Sequence, residues 1–569
     1  MMLPVERNRI ISEDYADLII EYNGNTSVFE QFPDSTVQII NIQLAFVHVP
    51  VSFITQDIVY RMGYSVLPTC FGIISESSLE ASGVFQLRNI PIFNLRGQGI
   101  LIGIIDTGVD YTNPIFQYAD NTTRIVSIWD QTIVSDNPPT GMEYGTEYTR
   151  EQINEALQND NPLSVVPSTD DIGHGTMLAG ISGGNEVAES GFMGVASDAE
   201  FAVVKLKPAK QFLKDFFYIP DNAVCFQETD IFLGVQYLYD LSIRLGRPMV
   251  ICIALGSSQG AHDGLGTLST YISNISTTPQ IGVVVAAGNE GNNRRHYSGR
   301  INPTIGYDTV ELNVGENEPG FSMELWGSAP DIYSIDILSP SGEYIPRIVA
   351  GRNEHRVISF IFEATIIYVD YQMVESQSGE QLILIRFDNP SQGIWRFNVY
   401  ERGGLNLGFN IWLPMEGFIS ENTYFIRSDP YTTLLTLGNA VFPLTVTAYN
   451  DADDSLYLDS SRGFTRINRI KPEIAAPGVN VTGPTLDGSF APYTGTSVSA
   501  AHVTGIAALI YEWGIVRGNL PLMSTVELKN LIIRGAKRDI NLIYPNRDWG
   551  YGILDVFNVF DALRGGIGI

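Results

Sequence analysis

Several things are scarce in this chain. Its 569 residues include three cysteines, Cys70, Cys225 and Cys252. An odd and small count excludes a disulfide framework, and no metal-binding spacing surrounds any of them. Basic residues are few, 34 Lys and Arg against 63 Asp and Glu, for a formal net charge of −29. That balance argues against nucleic acid and anionic membrane surfaces as partners. Long apolar runs are absent too. None exceeds about ten residues, short of a bilayer span. The start, Met1 to Arg9, lacks the apolar centre of a secretory signal, so the expectation is a protein made in the cytoplasm without a membrane span. Internal repeats and low-complexity tracts are also missing.

Hydrophobic residues, at 44%, are ample for a large core, and the length calls for more than one domain. From Gly83 onward apolar strands and helices alternate. The run Gly83–Ile105 is followed by Ala202–Leu206, Asp230–Leu245, Met249–Leu255 and Ile281–Ala287. Such alternation predicts an α/β fold, a parallel sheet flanked by helices.

Three polar side chains stand out against their small neighbours. They are Asp106 in Ile105-Asp106-Thr107-Gly108, His174 in Gly173-His174-Gly175-Thr176, and Ser497 in Gly495-Thr496-Ser497-Val498-Ser499. An apolar strand precedes the first; helix-like stretches follow the other two. A serine hydroxyl needs a base to take its proton, and an imidazole titrating near neutrality can do so. An aspartate fixes the tautomer and stabilises the imidazolium. Asp, His and Ser in this order form one of the known triads. Ser497 is expected at the opening of a helix reading Ser499–Tyr511, beside its positive end. Asn289, at the end of the buried strand Ile281–Ala287, can donate its amide to an oxyanion. Taken singly, each residue reads as a cap or turn residue; their joint appearance among glycines does not. His48, His262, His296, His355 and His502 carry no such context and read as structural.

These four segments resemble the subtilisin-like serine proteases (subtilases, S8 family). Lys471-Pro472-Glu473-Ile474-Ala475-Ala476-Pro477-Gly478 and Gly550-Tyr551-Gly552-Ile553-Leu554-Asp555 are similar to further motifs of that family. The similarity covers roughly 83–297 and 436–562. It implies Asp106, His174 and Ser497 as catalytic residues and Asn289 as the oxyanion residue. Ile253, Ala254, Leu255 and Gly256, with Ala286, Ala287 and Gly288, are implied as substrate-binding backbone that pairs with an extended peptide. No cofactor is implied for the chemistry. Structural calcium is common in the family, and Asp451-Ala452-Asp453-Asp454 offers carboxylates for it, although a solvated loop explains the stretch as well.

The expected organisation has four parts. Residues 1–76 read as a small α+β module with strands at Asp17–Tyr22, Val37–Val47 and Tyr64–Pro68 and a helix at Ile54–Met62. In a subtilase a module here resembles the propeptide, an intramolecular chaperone whose tail enters the cleft; the expected junction lies between Pro68 and Ser78. Residues 77–297 and 436–569 form the catalytic domain. Between them, 298–435 loses the strand–helix alternation and reads as an inserted antiparallel β-sandwich, jelly-roll-like, with strands at Thr309–Val314, Ile332–Leu338, Thr365–Gln372, Gln381–Phe387, Gly393–Tyr400 and Asn406–Leu413.

The insertion at Ser135–Asp171, with a capping box at Thr149 and Gln152, and the run Gly256–Gly264 resemble one subgroup, the Csp germination proteases of spore-forming clostridia. That resemblance implies a spore-associated processing protease acting on the precursor of a cortex-lytic enzyme, with its own propeptide retained non-covalently after cleavage. A general intracellular degradative subtilase and a non-catalytic scaffold are the competing readings.

Overall fold

A computed structural model of the chain describes residues 2–74, 94–349 and 351–563. The expected core start at Gly83 and the far end of the expected junction, residues 75–78, lie outside the described residues. The centre is a nine-stranded sheet. Its inner strands run parallel, in the spatial order Leu444–Asn450, Ile281–Ala286, Met249–Ile253, Leu101–Asp106, Glu200–Lys205 and Ile125–Asp130. Strands covered on both faces have no solvent side, which explains why the sequence shows continuous apolar runs here. In Leu101–Asp106, Ile102 and Ile104 join the core shared with helices His174–Gly183 and Thr496–Tyr511. Leu101 and Ile105 join that of Glu228–Leu245 and Thr267–Ser276 on the other face.

The N-terminal module differs in detail from the sequence reading. Its antiparallel sheet orders Tyr15–Glu21, Leu44–Pro50 and Thr36–Ile39. The expected single strand Val37–Val47 is thus a hairpin. Asn41 causes the reversal, its Oδ1 accepting from the Gln43 and Leu44 N–H groups at 2.8 and 2.9 Å in an Asx turn. The expected helix Ile54–Met62 shortens to Ile58–Met62, because the Gln56 carbonyl is held by Arg386 Nη2 at 2.6 Å. Tyr64–Pro68 forms a 3-10 turn at Tyr64–Val66 rather than a strand. There Tyr64 swings to Glu324 of the insert, Oη to Oε1 2.6 Å. A helix at Pro4–Ile11 had given no sequence signal.

The inserted segment forms two antiparallel sheets of six and five strands around one core of its own. The expected strands are present within a few residues of their bounds, the last shortened to Phe409–Trp412. The sandwich also uses His296–Gly299, which pairs with Phe409–Trp412 ahead of the 298 boundary. Gly320–Gly327, buried along its length, was not legible.

The N-terminal module is clamped from two sides. On the catalytic side, Phe46 meets Phe232 edge-on at 5.5 Å. Buried Asp17 accepts from Lys210 Nζ (2.6 Å), Gln227 Nε2 (2.6 Å) and His48 Nδ1 (2.6 Å). On the insert side, Glu324 accepts from both Tyr64 Oη and the Gly260 N–H, tying module, insert and catalytic domain together. Burial alone would raise the Asp17 pKa, but Lys210 and His48 hold it well below the usual carboxylate range. Its stabilisation is therefore fully present above an unfolded-state pKa of about 4 and is lost as pH falls below that. Removing one partner of such a pair leaves a buried unpaired charge. Lys210→Met should lower unfolding stability by about 3–5 kcal/mol. The double change Asp17→Asn with Lys210→Met should recover part of the loss, as read by urea denaturation at neutral pH.

Candidate active site

The expected residues converge at the carboxyl ends of the parallel strands, where open α/β sheets place ligands. Asp106 is the last residue of Leu101–Asp106 and fully buried. His174 opens helix His174–Gly183, with Gly173 in the left-handed region (φ 91°) as its N-cap. Ser497 is the second residue of Thr496–Tyr511, a helix that starts three residues earlier than the sequence suggested. Asn289 follows the strand Ile281–Ala286.

Close backbone approach brings Asp106 and His174 together. A Cβ on Gly175 would lie 2.1 Å from the Gly108 carbonyl oxygen, so only glycine lets the histidine helix meet the end of the aspartate strand. The Gly175 N–H donates to Thr107 Oγ1 (2.9 Å) and the Thr107 N–H to Asp106 Oδ1 (2.8 Å). His174 Nδ1 then sits 2.7 Å from Asp106 Oδ1. Nε2 is left outside this pair; among the described residues neither His174 Nε2 nor Ser497 Oγ has a hydrogen-bond partner. Burial lowers the imidazole pKa, but the Asp106 charge and hydrogen bond outweigh it and the net direction is upward.

Asn289 is oriented by the serine helix. Its Oδ1 accepts from the Thr496 N–H and Oγ1, both at 3.1 Å, so Nδ2 is the end of the amide left to donate elsewhere. Thr496 Oγ1 also accepts from the Gly288 N–H at 3.0 Å. Sequence reading missed Thr496, and it missed Asp170. Asp170 accepts from the N–H groups of Ile172, Gly173 and Thr176 and from Thr176 Oγ1, capping the histidine helix. An acidic residue just ahead of a helix start was the available signal.

Segment Cys70–Ile73 runs through the cleft. It is the middle strand of three, antiparallel to Leu255–Gly256 on one side and to Phe226–Gln227 on the other. Ile73 faces Leu255 and Gly72 faces Gly256. The following residue, Ile74, brings its carbonyl close enough to His174 to contribute to the raised pKa. Of the expected substrate-binding residues, Leu255 and Gly256 pair with this strand. Ile253 and Ala286 instead belong to the central sheet, paired with Val285 and Val446. Buried Ala254 links the two strands. Ala287 accepts from the Leu435 N–H (2.9 Å), and Leu435 presses on Gly288 and Gly256, where a Cβ would come within 2.5 and 2.2 Å of its side chain. The second wall, Phe226–Gln227, is two residues long and left no sequence signal.

His502 lies inside the serine helix, its pKa pushed down to about 4 by burial. His262 stacks on Trp412 at 4.0 Å. The three cysteines are buried and free. Among the described residues no three His, Cys, Asp or Glu side chains are grouped as for a metal. In the acidic loop, Asp453 accepts from Ser455, and Asp454 lies 3.6 Å from Lys537. One described stretch, Thr496–Val516, is long and apolar enough to cross a membrane, and 89% of its window is buried inside the fold.

Fold and site combine an α/β sheet with an Asp106–His174 pair, a serine at a helix start and an asparagine amide oriented by that helix, the arrangement expected of a serine hydrolase. The profile of the Subtilase family matches residues 97–314 and 428–552, more than half of the sequence, and the chain belongs to that family as a subtilisin-like serine peptidase. The structure of the Clostridium perfringens CspB protease superposes with a TM-score of 0.76 at 31% identity, covering 86% of this chain and 99% of that one. A PII-type proteinase of Lacticaseibacillus paracasei is 23% identical over 83% of this chain, which spans 26% of that protein's length. Thermitase of Thermoactinomyces vulgaris is 26% identical over 42% of this chain and 63% of its own.

Two outcomes follow for peptide hydrolysis. Asn289→Ala should lower kcat by about 10²–10³ with little change in KM. The rate should fall as pH drops, with an acid limb centred above the ordinary histidine value of about 6.5, because only the neutral imidazole accepts the serine proton; a midpoint below 6 in a kcat/KM profile would contradict the Asp106–His174 pairing.

Proposed function

We propose that the chain is an endopeptidase that cuts itself once, between Ile74 and Ser75, and keeps the released N-terminal module seated on its cleft. The observation that carries this reading is the Cys70–Ile73 strand, held between two strands of the protease with the Ile74 carbonyl beside His174. A peptide bound by strand addition on both edges is in extended register, and the tail leaves this strand at Ile74, the residue next to His174, which makes the Ile74 carbonyl the one offered to Ser497. Ser497 Oγ adds to that carbonyl carbon while His174 Nε2 takes the hydroxyl proton. Asn289 Nδ2 and the Ser497 N–H stabilise the oxyanion. The C–N bond then breaks, and the proton passes from His174 to the leaving amine of Ser75. Water, deprotonated by the same imidazole, hydrolyses the Ile74 ester and returns Ser497. Asp106 holds the ring throughout. No cofactor enters this reading.

A module that is cut yet stays bound supports a restricted processing peptidase over a broad degradative one. The CspB likeness supports a peptidase of that kind, and the resemblance in the sequence supports activation of a cortex-lytic zymogen in a germinating spore as its role. Intact mass and N-terminal sequencing of the wild type beside Ser497→Ala test the core of it. The wild type should yield a fragment beginning Ser75-Glu76-Ser77 that co-purifies with the N-terminal piece, and the variant should be whole. A wild type that stays whole under the same expression conditions would sink the self-cleavage and favour a non-catalytic scaffold.

A further inference from the structure

The insert reaches into the cleft as well as bracing it. Beyond the strand Phe409–Trp412 the chain makes a tight turn, with the Phe418 N–H donating to the Met415 carbonyl (3.1 Å) and Gly417 in the left-handed region at φ 82°. Glu290, next to Asn289, anchors this turn. Its Oε1 accepts from the Glu416 N–H at 2.9 Å, and its Oε2 lies 3.4 Å from Arg295 Nη1. The anchoring points Met415 and Phe418, both buried, down onto the strand in the cleft. They meet it at Gly72. A Cβ there would come within 3.1 Å of Met415 Cε, 3.2 Å of its Sδ and 3.3 Å of Phe418 Cε1. Gly72 itself needs no left-handed conformation, so the constraint on a side chain here is one of space rather than of backbone geometry. On either side the strand carries full-sized residues. Phe71 is fully buried, and Ile74 packs toward Gly256, where a Cβ would come within 2.8 Å of Ile74 Cδ1.

We infer that this turn is a specificity element: Met415 and Phe418 roof the cleft at the third residue before the cut and select substrates with glycine there, in extended segments of the pattern large apolar, Gly, any residue, branched aliphatic. The inference rests on the cleavage proposed after Ile74. It implies that a protein substrate offers a flexible, glycine-containing apolar segment, and that most accessible loops are refused by overpacking rather than by loss of attraction. Methionine is compliant, so alanine is admitted at a reduced rate and β-branched residues are excluded.

The test uses the full chain. Gly72→Ala should slow self-cleavage by about 10-fold and Gly72→Val by about 100-fold, the size expected for one and for three extra carbons in a filled site. Met415→Ala in the Gly72→Val background should bring the rate back to within about 10-fold of wild type. Thermal unfolding of the same variants carrying Ser497→Ala checks that each is folded. If Gly72→Val fails to fold, the readout moves to mature enzyme and internally quenched peptides spanning the 71–77 sequence with Gly, Ala or Val at the third position. There Met415→Ala should cut the Gly-over-Val preference by about 10-fold or more. Wild type cut and Gly72→Val cut equally fast overturns the specificity while leaving self-cleavage intact, as does a folded Gly72→Val that Met415→Ala does not rescue. A wild type that is never cut, and cleaves no peptide, removes the proposed function underneath.

Discussion

A strand inserted between two others satisfies backbone groups on both its edges, and Cys70–Ile73 is held in this way between Leu255–Gly256 and Phe226–Gln227. The cleft walls alone are two-residue strands that no propensity would specify. With the tail between them they form a three-stranded sheet that covers the exposed edges, which would otherwise invite other chains. The rest of the N-terminal module is arranged to hold that tail in register. Asp17 is tied to Lys210 just across from Gln227, and Tyr64 is tied to Glu324, which also fixes Gly260 beyond the Leu255–Gly256 wall. Because register along a strand moves in steps of one residue, these anchors decide which carbonyl reaches His174.

Glu324 also shows why part of the fold was illegible. The strand Gly320–Gly327 is buried along its length, yet a glutamate at its middle breaks the apolar run that would have announced it. The glutamate is there because the module and the catalytic domain meet at that point, and burial among them raises its pKa. The reverse holds for the parallel sheet and the Asp106–His174 pair. Leu101–Asp106 and Ile281–Ala286 read as strands because both faces are covered, and the glycines around Asp106 and His174 exist for a contact, Gly108 against Gly175, that a Cβ would forbid. Local chemistry of that kind is written in neighbouring residues. What was not written locally are the pairings across long stretches of sequence. Tyr64 with Glu324, Gly72 with Met415, and Asn289 with Thr496 each join residues whose types are unremarkable alone.

The hairpin at Asn41 and the turn at Tyr64 were misread for a related reason. The apolar pattern of Val37–Val47 runs through the reversal, so periodicity alone continues the strand, and only the side chain of Asn41 turns it. In Tyr64–Pro68 the aromatic and β-branched residues carry high strand propensity, but the tyrosine is taken up by the insert's carboxylate, and the backbone follows.

Tethering sets the balance between inhibition and activity in the proposed reading. While the tail is continuous with the catalytic domain, its concentration at the cleft is that of a short linker, in the millimolar range. After cleavage that contribution is gone, and occupancy depends on the module's own contacts. Those contacts are extensive and largely remote from the scissile bond: the Asp17 cluster, the Phe46–Phe232 edge contact and the Arg386 grip on Gln56. A substrate loop has none of them, so it competes for the same strand position with backbone pairing and its side chains alone. Tight seating of the module and a roof that favours glycine at the third residue before the cut therefore act in the same direction. Both lower the rate for arbitrary peptides far more than for a segment matched to the cleft, and matching is where the binding energy of a selective processing enzyme has to come from.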